Sequence, residues 1–262
     1  MNPLRNTKHI CLYKPLGMTP LQAIQQLRKE HPEYENQKIG YAGRLDPMAE
    51  GVLLCMVGDG NKLREEYIGL DKTYDVTAIL GFSTDSYDLL GLVTDSSTEI
   101  HTHEFEKSVL KLANTTIHQP YPPYSSQPVD GIPLYKRARM GLPYDLSTIP
   151  HKEREIYEVS LLGRYSLTPD QLLTDIQEKV DIVTGDFRQE LIIRTWEKLL
   201  ISPIHNITAI KARIRCSSGT FIRTLINDLG KKAGSGACVH SLVRTQIGEF
   251  SLTDAIRLYP PR

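Results

Sequence analysis

No stretch of 18 apolar residues occurs in the sequence, and its first residues hold no apolar signal core. A membrane-spanning helix and a secretory leader are therefore not expected, and the expected location is the cytoplasm. Cysteine is scarce. Cys11, Cys55, Cys216 and Cys238 form no CxxC pair and no Cys-His cluster at zinc spacing, so they read as reduced, mostly buried thiols. His101 and His103 share one face of the chain if it is extended there, but no third ligand lies near them and no metal site is expected. Also missing are a Ser-His-Asp set, a Walker loop, a GxGxxG turn and an HExxH helix, which removes several common enzyme signatures.

Net charge is lacking too: 31 Lys+Arg balance 31 Asp+Glu over 262 residues. The balance hides a segregation. Residues 185–262 hold 12 Lys+Arg against 6 Asp+Glu, while residues 1–184 hold 19 against 25. A basic C-terminal third can meet an anion while the acidic remainder keeps the chain in solution; a merely solvated basic face explains the pattern as well. Hydrophobic content of 40% and charged content of 24% fit a single globular domain, 1–262, large enough for a real core.

Strand signals fall at 9–13, 51–57, 72–80, 156–162 and 206–216, and the 72–80 run alternates with period two. Helix signals fall at 21–29, 103–112, 135–140, 169–183, 187–200 and 220–233. Thr19-Pro20 suits the opening of the first helix, with Thr as N-cap and Pro in the first position. Segment 169–183 is amphipathic, with Leu172, Leu173, Ile176 and Val180 on one face. The Pro-rich stretch 121–124 is expected to be extended. Strands and helices mix without a βαβ rhythm, so the expected fold class is α+β, with a mixed, mainly antiparallel central sheet and flanking helices.

Singly, the reactive residues say little. Asp46 precedes Pro47, where an Asp is ordinarily a turn or cap acceptor. Arg223 sits on an expected helix, where a surface ion pair is the plain reading, and Tyr74 alternates on a strand, where the core is. In order, and with their neighbours, they say much more. Gly40-Tyr41-Ala42-Gly43-Arg44-Leu45-Asp46-Pro47-Met48-Ala49-Glu50-Gly51 resembles the catalytic motif of the tRNA pseudouridine synthase B (TruB) family. Lys14-Pro15-Leu16-Gly17-Met18-Thr19 upstream resembles that family's N-terminal motif, and Gly58-Asp59-Gly60-Asn61-Lys62 with Lys72-Thr73-Tyr74 continues the match. Thr84-Asp85-Ser86-Tyr87-Asp88-Leu89-Leu90-Gly91 and Pro122-Pro123-Tyr124-Ser125-Ser126 resemble two further segments. Cys216-Ser217-Ser218-Gly219-Thr220-Phe221-Ile222-Arg223 and Leu242-Val243-Arg244-Thr245 complete the colinear set.

The resemblance implies the pseudouridine synthase fold, with an RNA cleft at its centre. It implies isomerisation of one uridine, normally uridine 55 in the T loop of tRNA, without a cofactor and with the T arm of tRNA as partner; a monomer is expected. It further implies that Asp46 is the essential carboxylate and Arg223 its ion-pair partner. Tyr74 is then the ring that packs on the target base and takes part in proton removal, and Leu242 is part of the apolar wall. The reaction breaks the N1–C1′ bond, turns the uracil and makes C5–C1′, with no redox change. A carboxylate can attack C1′, add to C6 or draw off a 2′ proton, and the sequence leaves all three open. An arginine beside it keeps it ionised and orients it through charge-assisted hydrogen bonds. Turning the base out costs on the order of a few kcal/mol of unstacking, which a ring such as Tyr74 offsets. Lys14, Lys62, Arg137, Arg139, Lys211, Arg213 and Arg244 are the candidate phosphate contacts, with a merely solvating role equally open for each that is exposed.

Three positions depart from the family pattern: Tyr41 replaces a usual His that fills the gap left by flipped nucleotides, Pro20 a common Ser, and Pro128 a common Lys. The sequence ends soon after 248–252, so no C-terminal PUA-type module is expected; a helical insertion is expected at about 166–205, with Arg188, Arg194 and Lys198 as candidates to face the RNA. A competing reading is an RNA-binding, tRNA-folding chaperone with little catalysis, against which the joint presence of Asp46, Tyr74 and Arg223 argues. A synthase acting on a uridine outside tRNA is the other.

Overall fold

The computed structural model describes residues 8–142, 149–201 and 206–258. From the N-terminus it runs β1 (His9–Lys14), α1 (Pro20–Glu30), β2 (Ile39–Tyr41), β3 (Ala49–Val57), α2 (Arg64–Gly69), β4 (Lys72–Leu80), β5 (Phe82–Thr84) and β6 (Val93–Ser96). It continues with α3 (Thr102–Leu110), β7 (Thr115–Pro120), β8 (Pro128–Val129), β9 (Ile132–Pro133), α4 (Leu134–Arg139) and β10 (His151–Leu167). Last come α5 (Pro169–Asp181), α6 (Gln189–Leu200), β11 (Ile207–Cys216), α7 (Ile222–Ala233), β12 (Ala237–Ile247), β13 (Phe250–Ser251) and β14 (Ile256–Arg257).

The main sheet has the order β14-β1-β3-β12-β4-β11-β10-β7, with β2 added on β3 and β13 on β12. Within it β1–β14 and β3–β12 are parallel and the other pairs antiparallel, which is the expected mixed, mainly antiparallel α+β arrangement. Alternation along β4 explains how two layers of helix attach. Tyr74, Val76, Ala78 and Leu80 join a core with α7 and with Phe105 and Val109 of α3. Ile79 points the other way, into a core with Leu172, Ile176 and Val180 of α5 and Ile192, Trp196 and Leu200 of α6. Two helices therefore occupy the 168–200 region, as the periodicity predicts; residues 202–205 lie outside the described chain. Among the described residues no helix is long and apolar enough to cross a membrane.

Both Thr-Pro helix starts carry full capping boxes. Thr19 accepts from Gln22 N while the Gln22 side chain reaches back, and Thr168 does the same with Gln171. Elsewhere the structure corrects the sequence reading. The strand expected at 156–162 is the middle of β10, whose charged front His151–Ile156 pairs with β7 and hides the pattern. Residues 121–124 are not extended throughout: Ser125 N donates to Pro122 O at 3.1 Å, closing a turn over Pro123 and Tyr124. The four cysteines are buried and free.

Candidate active site

Asp46 lies on the loop between β2 and β3. The loop is pinned by Ala42 N donating to Leu54 O at 2.8 Å and Ala49 N to Asp46 O at 3.0 Å. From below, Arg244 Nη1 donates to Arg44 O at 3.0 Å. The carboxylate is left 39% exposed, facing Arg223 in the first turn of α7, which is only 7% exposed. Arg223 Nε donates to Asp46 Oδ2 at 2.8 Å, and Asp88 Oδ2 stands 3.7 Å from the same nitrogen. Its Nη1 donates to Ser86 O and its Nη2 to Tyr124 O at 3.4 Å. One guanidinium thus lies between two carboxylates, with two backbone carbonyls fixing its plane. Burial works against its charge, but Asp46 and Asp88 outweigh burial and hold its pKa above the ordinary value. For Asp88, burial pushes the carboxyl up; Arg223, the Ser86 hydroxyl and Leu90 N oppose the rise.

A cavity of about 480 Å³ opens beside this pair, within the range of small-molecule sites. Tyr74, Leu90 and Leu242 give it apolar walls, and Asp46, Arg223 and Asp88 its polar end. Tyr74 is buried, and burial raises its phenol pKa against the pull of Arg244, so near neutral pH the hydroxyl stays protonated. Asp46, Tyr74, Arg223 and Leu242, implied together by the resemblance, are brought together although 177 residues separate the ion pair.

The candidate phosphate contacts fare differently. Arg244 lines the cavity but is 1% exposed, with Nε on Val52 O at 2.8 Å and Nη1 on Arg44 O. Among the described residues its Nη2 has no hydrogen-bond partner. Lys14 is fully buried, its Nζ donating to Pro15 O at 2.8 Å and Met18 O at 2.7 Å. Neither cation presents its charge at an exposed surface. Lys62 is exposed and paired with Asp59 at 2.9 Å, Arg137 is paired with Asp130 at 2.9 Å, and neither lines the cavity. Arg213 is tied to Asp75 across β11 and β4. Tyr41 ends β2 half-buried against the core of Ile10, Leu12 and Leu53, outside the cavity wall. In the helix pair Arg194 and Lys198 are exposed, while Arg188 is turned inward onto Asp85.

Sequence reasoning gave no role to Asp88, Lys72 or Phe187. Lys72 is buried, with Nζ on Ile68 O at 2.6 Å, Leu70 O and Ser218 Oγ at 3.1 Å, and burial lowers its pKa to about 8. Phe187 lines the cavity with the Arg139 guanidinium 4.6 Å from its ring. Asp88 and Lys72 lie within the motif segments, but only the fold brings them to Arg223 and Ser218. Phe187 stood in a segment with no motif.

A family model described as TruB family pseudouridylate synthase (N terminal domain) matches residues 31–182. The tRNA pseudouridine synthase B of Syntrophomonas wolfei is 33% identical over 246 residues, covering 94% of this chain and 68% of that protein. That of Bordetella avium is 31% identical over 252 residues, covering 95% and 84%. Among solved structures, a Cbf5-Nop10-Gar1 complex superposes with a TM-score of 0.58 at 18% identity, covering 95% of this chain and 52% of the matched one. An H/ACA RNP bound to a substrate RNA containing 2′-deoxyuridine gives 0.55 at 17%, with 95% and 50% covered. The chain spans about half the length of those two structural neighbours, and the likeness to them is one of fold.

Proposed function

Because the chain belongs to the TruB family of pseudouridylate synthases, we propose that it isomerises a uridine of tRNA, uridine 55 of the T loop, to pseudouridine, with Asp46 as the reacting carboxylate. The observation that carries this reading is the Asp46 carboxylate held at 2.8 Å by Arg223 at the edge of a cavity walled by Tyr74 and Leu242. The uracil turned out of the T arm stacks on Tyr74, and the ring and Leu242 exclude water from it. Arg223 holds and aims the Asp46 carboxylate through its charge-assisted hydrogen bond. The carboxylate then acts at C1′, at C6 or on the 2′ proton. The N1–C1′ bond breaks, C5–C1′ forms, and a proton lost from C5 is balanced by one gained at N1, so the change is an isomerisation. The Tyr74 hydroxyl, protonated near neutral pH, stands as a donor beside that exchange. One chain supplies every group named, so a monomer suffices.

The test is pseudouridine formation in a T-arm RNA, measured beside binding on wild type and on Asp46→Asn. Binding should persist in the variant, since affinity resides in phosphate contacts and stacking. Turnover should fall by at least about 10³-fold, the scale for loss of a group that acts in the transition state. A helix-cap or turn role would leave Asn nearly as good as Asp, so appreciable turnover in that variant ends the assignment. Binding without turnover in the wild type would favour the chaperone reading, and pseudouridine elsewhere with an untouched T loop would favour a non-tRNA uridine.

A further inference from the structure

The connection from α5 to α6 reaches the catalytic cavity, where Phe187 and Arg188 form part of its lining. Arg188 has φ 63° and ψ 30°, the left-handed region that non-glycine residues seldom occupy. Such a conformation persists where the surroundings over-determine it. Here they do. Arg188 Nη1 donates to Asp85 Oδ2 at 2.7 Å and Nη2 to Asp85 Oδ1 at 3.2 Å. Its guanidinium also lies 5.0 Å from the ring centre of Tyr124, and the Tyr124 hydroxyl donates to the same Asp85 Oδ2 at 3.0 Å. Asp85 Oδ1 accepts from Leu92 N at 2.9 Å as well. Both partners of the ion pair are about three-quarters buried, so solvent screens it only in part.

The residues so clamped are the ones that carry Arg223. Ser86, next to Asp85, offers the carbonyl that accepts from Arg223 Nη1, and Tyr124 offers the carbonyl that accepts from Nη2. Resting on the reading of Asp46 and Arg223 as the catalytic pair, we propose that Arg188 is a positioning residue for the reaction. By binding Asp85 and Tyr124 together it fixes the two carbonyls that orient Arg223, and through Arg223 the Asp46 carboxylate. The helix pair is thereby coupled to the catalytic centre. Docking alone does not require this arginine, because Leu172, Ile176, Val180, Ile192 and Trp196 already bury α5 and α6 against the sheet.

The experiment compares wild type, Arg188→Ala and Arg188→Lys in three measurements: T-arm RNA affinity, single-turnover rate with enzyme in excess, and the NMR resonance of the Arg223 Nε–H. Arg188→Ala should lower the single-turnover rate by about ten- to a hundred-fold, the scale on which small misplacements of reacting groups cost rate. RNA affinity should stay within about three-fold, because phosphate contacts and stacking are left in place. The Arg223 Nε–H resonance should shift and its exchange with solvent should quicken. Arg188→Lys keeps the charge but not the two-pronged donor, so its rate should fall between the other two; it decides the matter if the alanine variant does not fold. A variant with a lower melting temperature and an unchanged rate would show a docking role only. Lost affinity with an unchanged rate would show an RNA contact only, and either result overturns the proposal. Should the wild type form no pseudouridine, the functional reading falls, and the Arg223 resonance still decides whether the coupling exists: an unchanged resonance overturns it.

Discussion

Lys14 is fully buried, and carbonyl oxygens of Pro15 and Met18 are the partners of its ammonium. Burial lowers its pKa from 10.5 to about 7, with the Asp46 charge opposing the fall. In the unfolded chain a lysine returns to about 10.4. Between about pH 7 and 10.5 the unfolded state therefore binds more protons, and stability contributed by Lys14 rises with pH across that window. Below pH 7 both states are protonated and the cost of the buried charge is present in full. Lys72, lowered to about 8, adds a rise of the same sign above that value. The urea midpoint of the wild type should accordingly climb from pH 7 to 9.5, and that of Lys14→Met should climb less. Equal slopes in the two proteins would show that the Lys14 ammonium is not suppressed by the fold. The position of Lys14 in a motif was legible in the sequence, but its burial was not. Lysines are so seldom buried that a phosphate contact was the natural expectation. Arg244 misled for the same reason, since its partners are the carbonyls of Val52 and Arg44, which no side-chain pattern encodes.

At the scale of elements, legibility followed local pattern. The alternation at the start of β4 and the Thr-Pro starts of α1 and α5 could be read because a period-two run and a capped helix leave local marks. β12 left none: it lies between β3 and β4, and the buried polar residues His240 and Arg244 interrupt its apolar run. The parallel contact of β3 and β12 also explains Gly51. Gly51 pairs with Arg244 and has φ 107°, and a Cβ built there would stand 2.3 Å from the Arg244 carbonyl oxygen. Backbone, not a mobile side chain, occupies that space. Gly51→Ala should cost about 1–3 kcal/mol in backbone strain alone, and more if the strands part. Because Arg244 supports the Asp46 loop, the folded variant should also lose activity at temperatures well below its melting point. Calorimetry and pseudouridine assays on one preparation read both losses, and full activity with an unchanged melting temperature would contradict this account of the β3–β12 contact.

For the whole molecule, the charge segregation seen along the chain is largely undone in space. Arginines of the basic third reach acids of the remainder: Arg188 to Asp85, Arg213 to Asp75, Arg215 to Asp71 and Glu158, and Arg223 to Asp46. The positive charge left at the surface of that third includes Lys198, Lys211, Lys231 and Lys232, all exposed. Counting by sequence could not separate arginines that close the fold from lysines that face solvent. The same long-range closure decides the standing of the helix pair. Trp196, the one tryptophan of the chain, is fully buried in α6 with its ring 5.3 Å from that of Phe82. Its neighbours in the core include Ile79 of β4 and Cys238 of β12, so detaching the pair would uncover the centre of the sheet. A decoration that merely rests on the surface would melt first, moving tryptophan fluorescence together with only the part of the far-UV circular dichroism that α5 and α6 contribute, and leaving a second dichroism transition for the sheet. An integral layer requires both signals to move together. Urea unfolding followed by both probes should give one midpoint and one slope. Trp196→Ala, by opening a large cavity in the shared core, should lower the midpoint seen by circular dichroism by the equivalent of about 3–5 kcal/mol. Separate transitions, or a dichroism midpoint indifferent to Trp196→Ala, would mean that the sheet stands without the helices and that only the Arg188 contacts link them to the site.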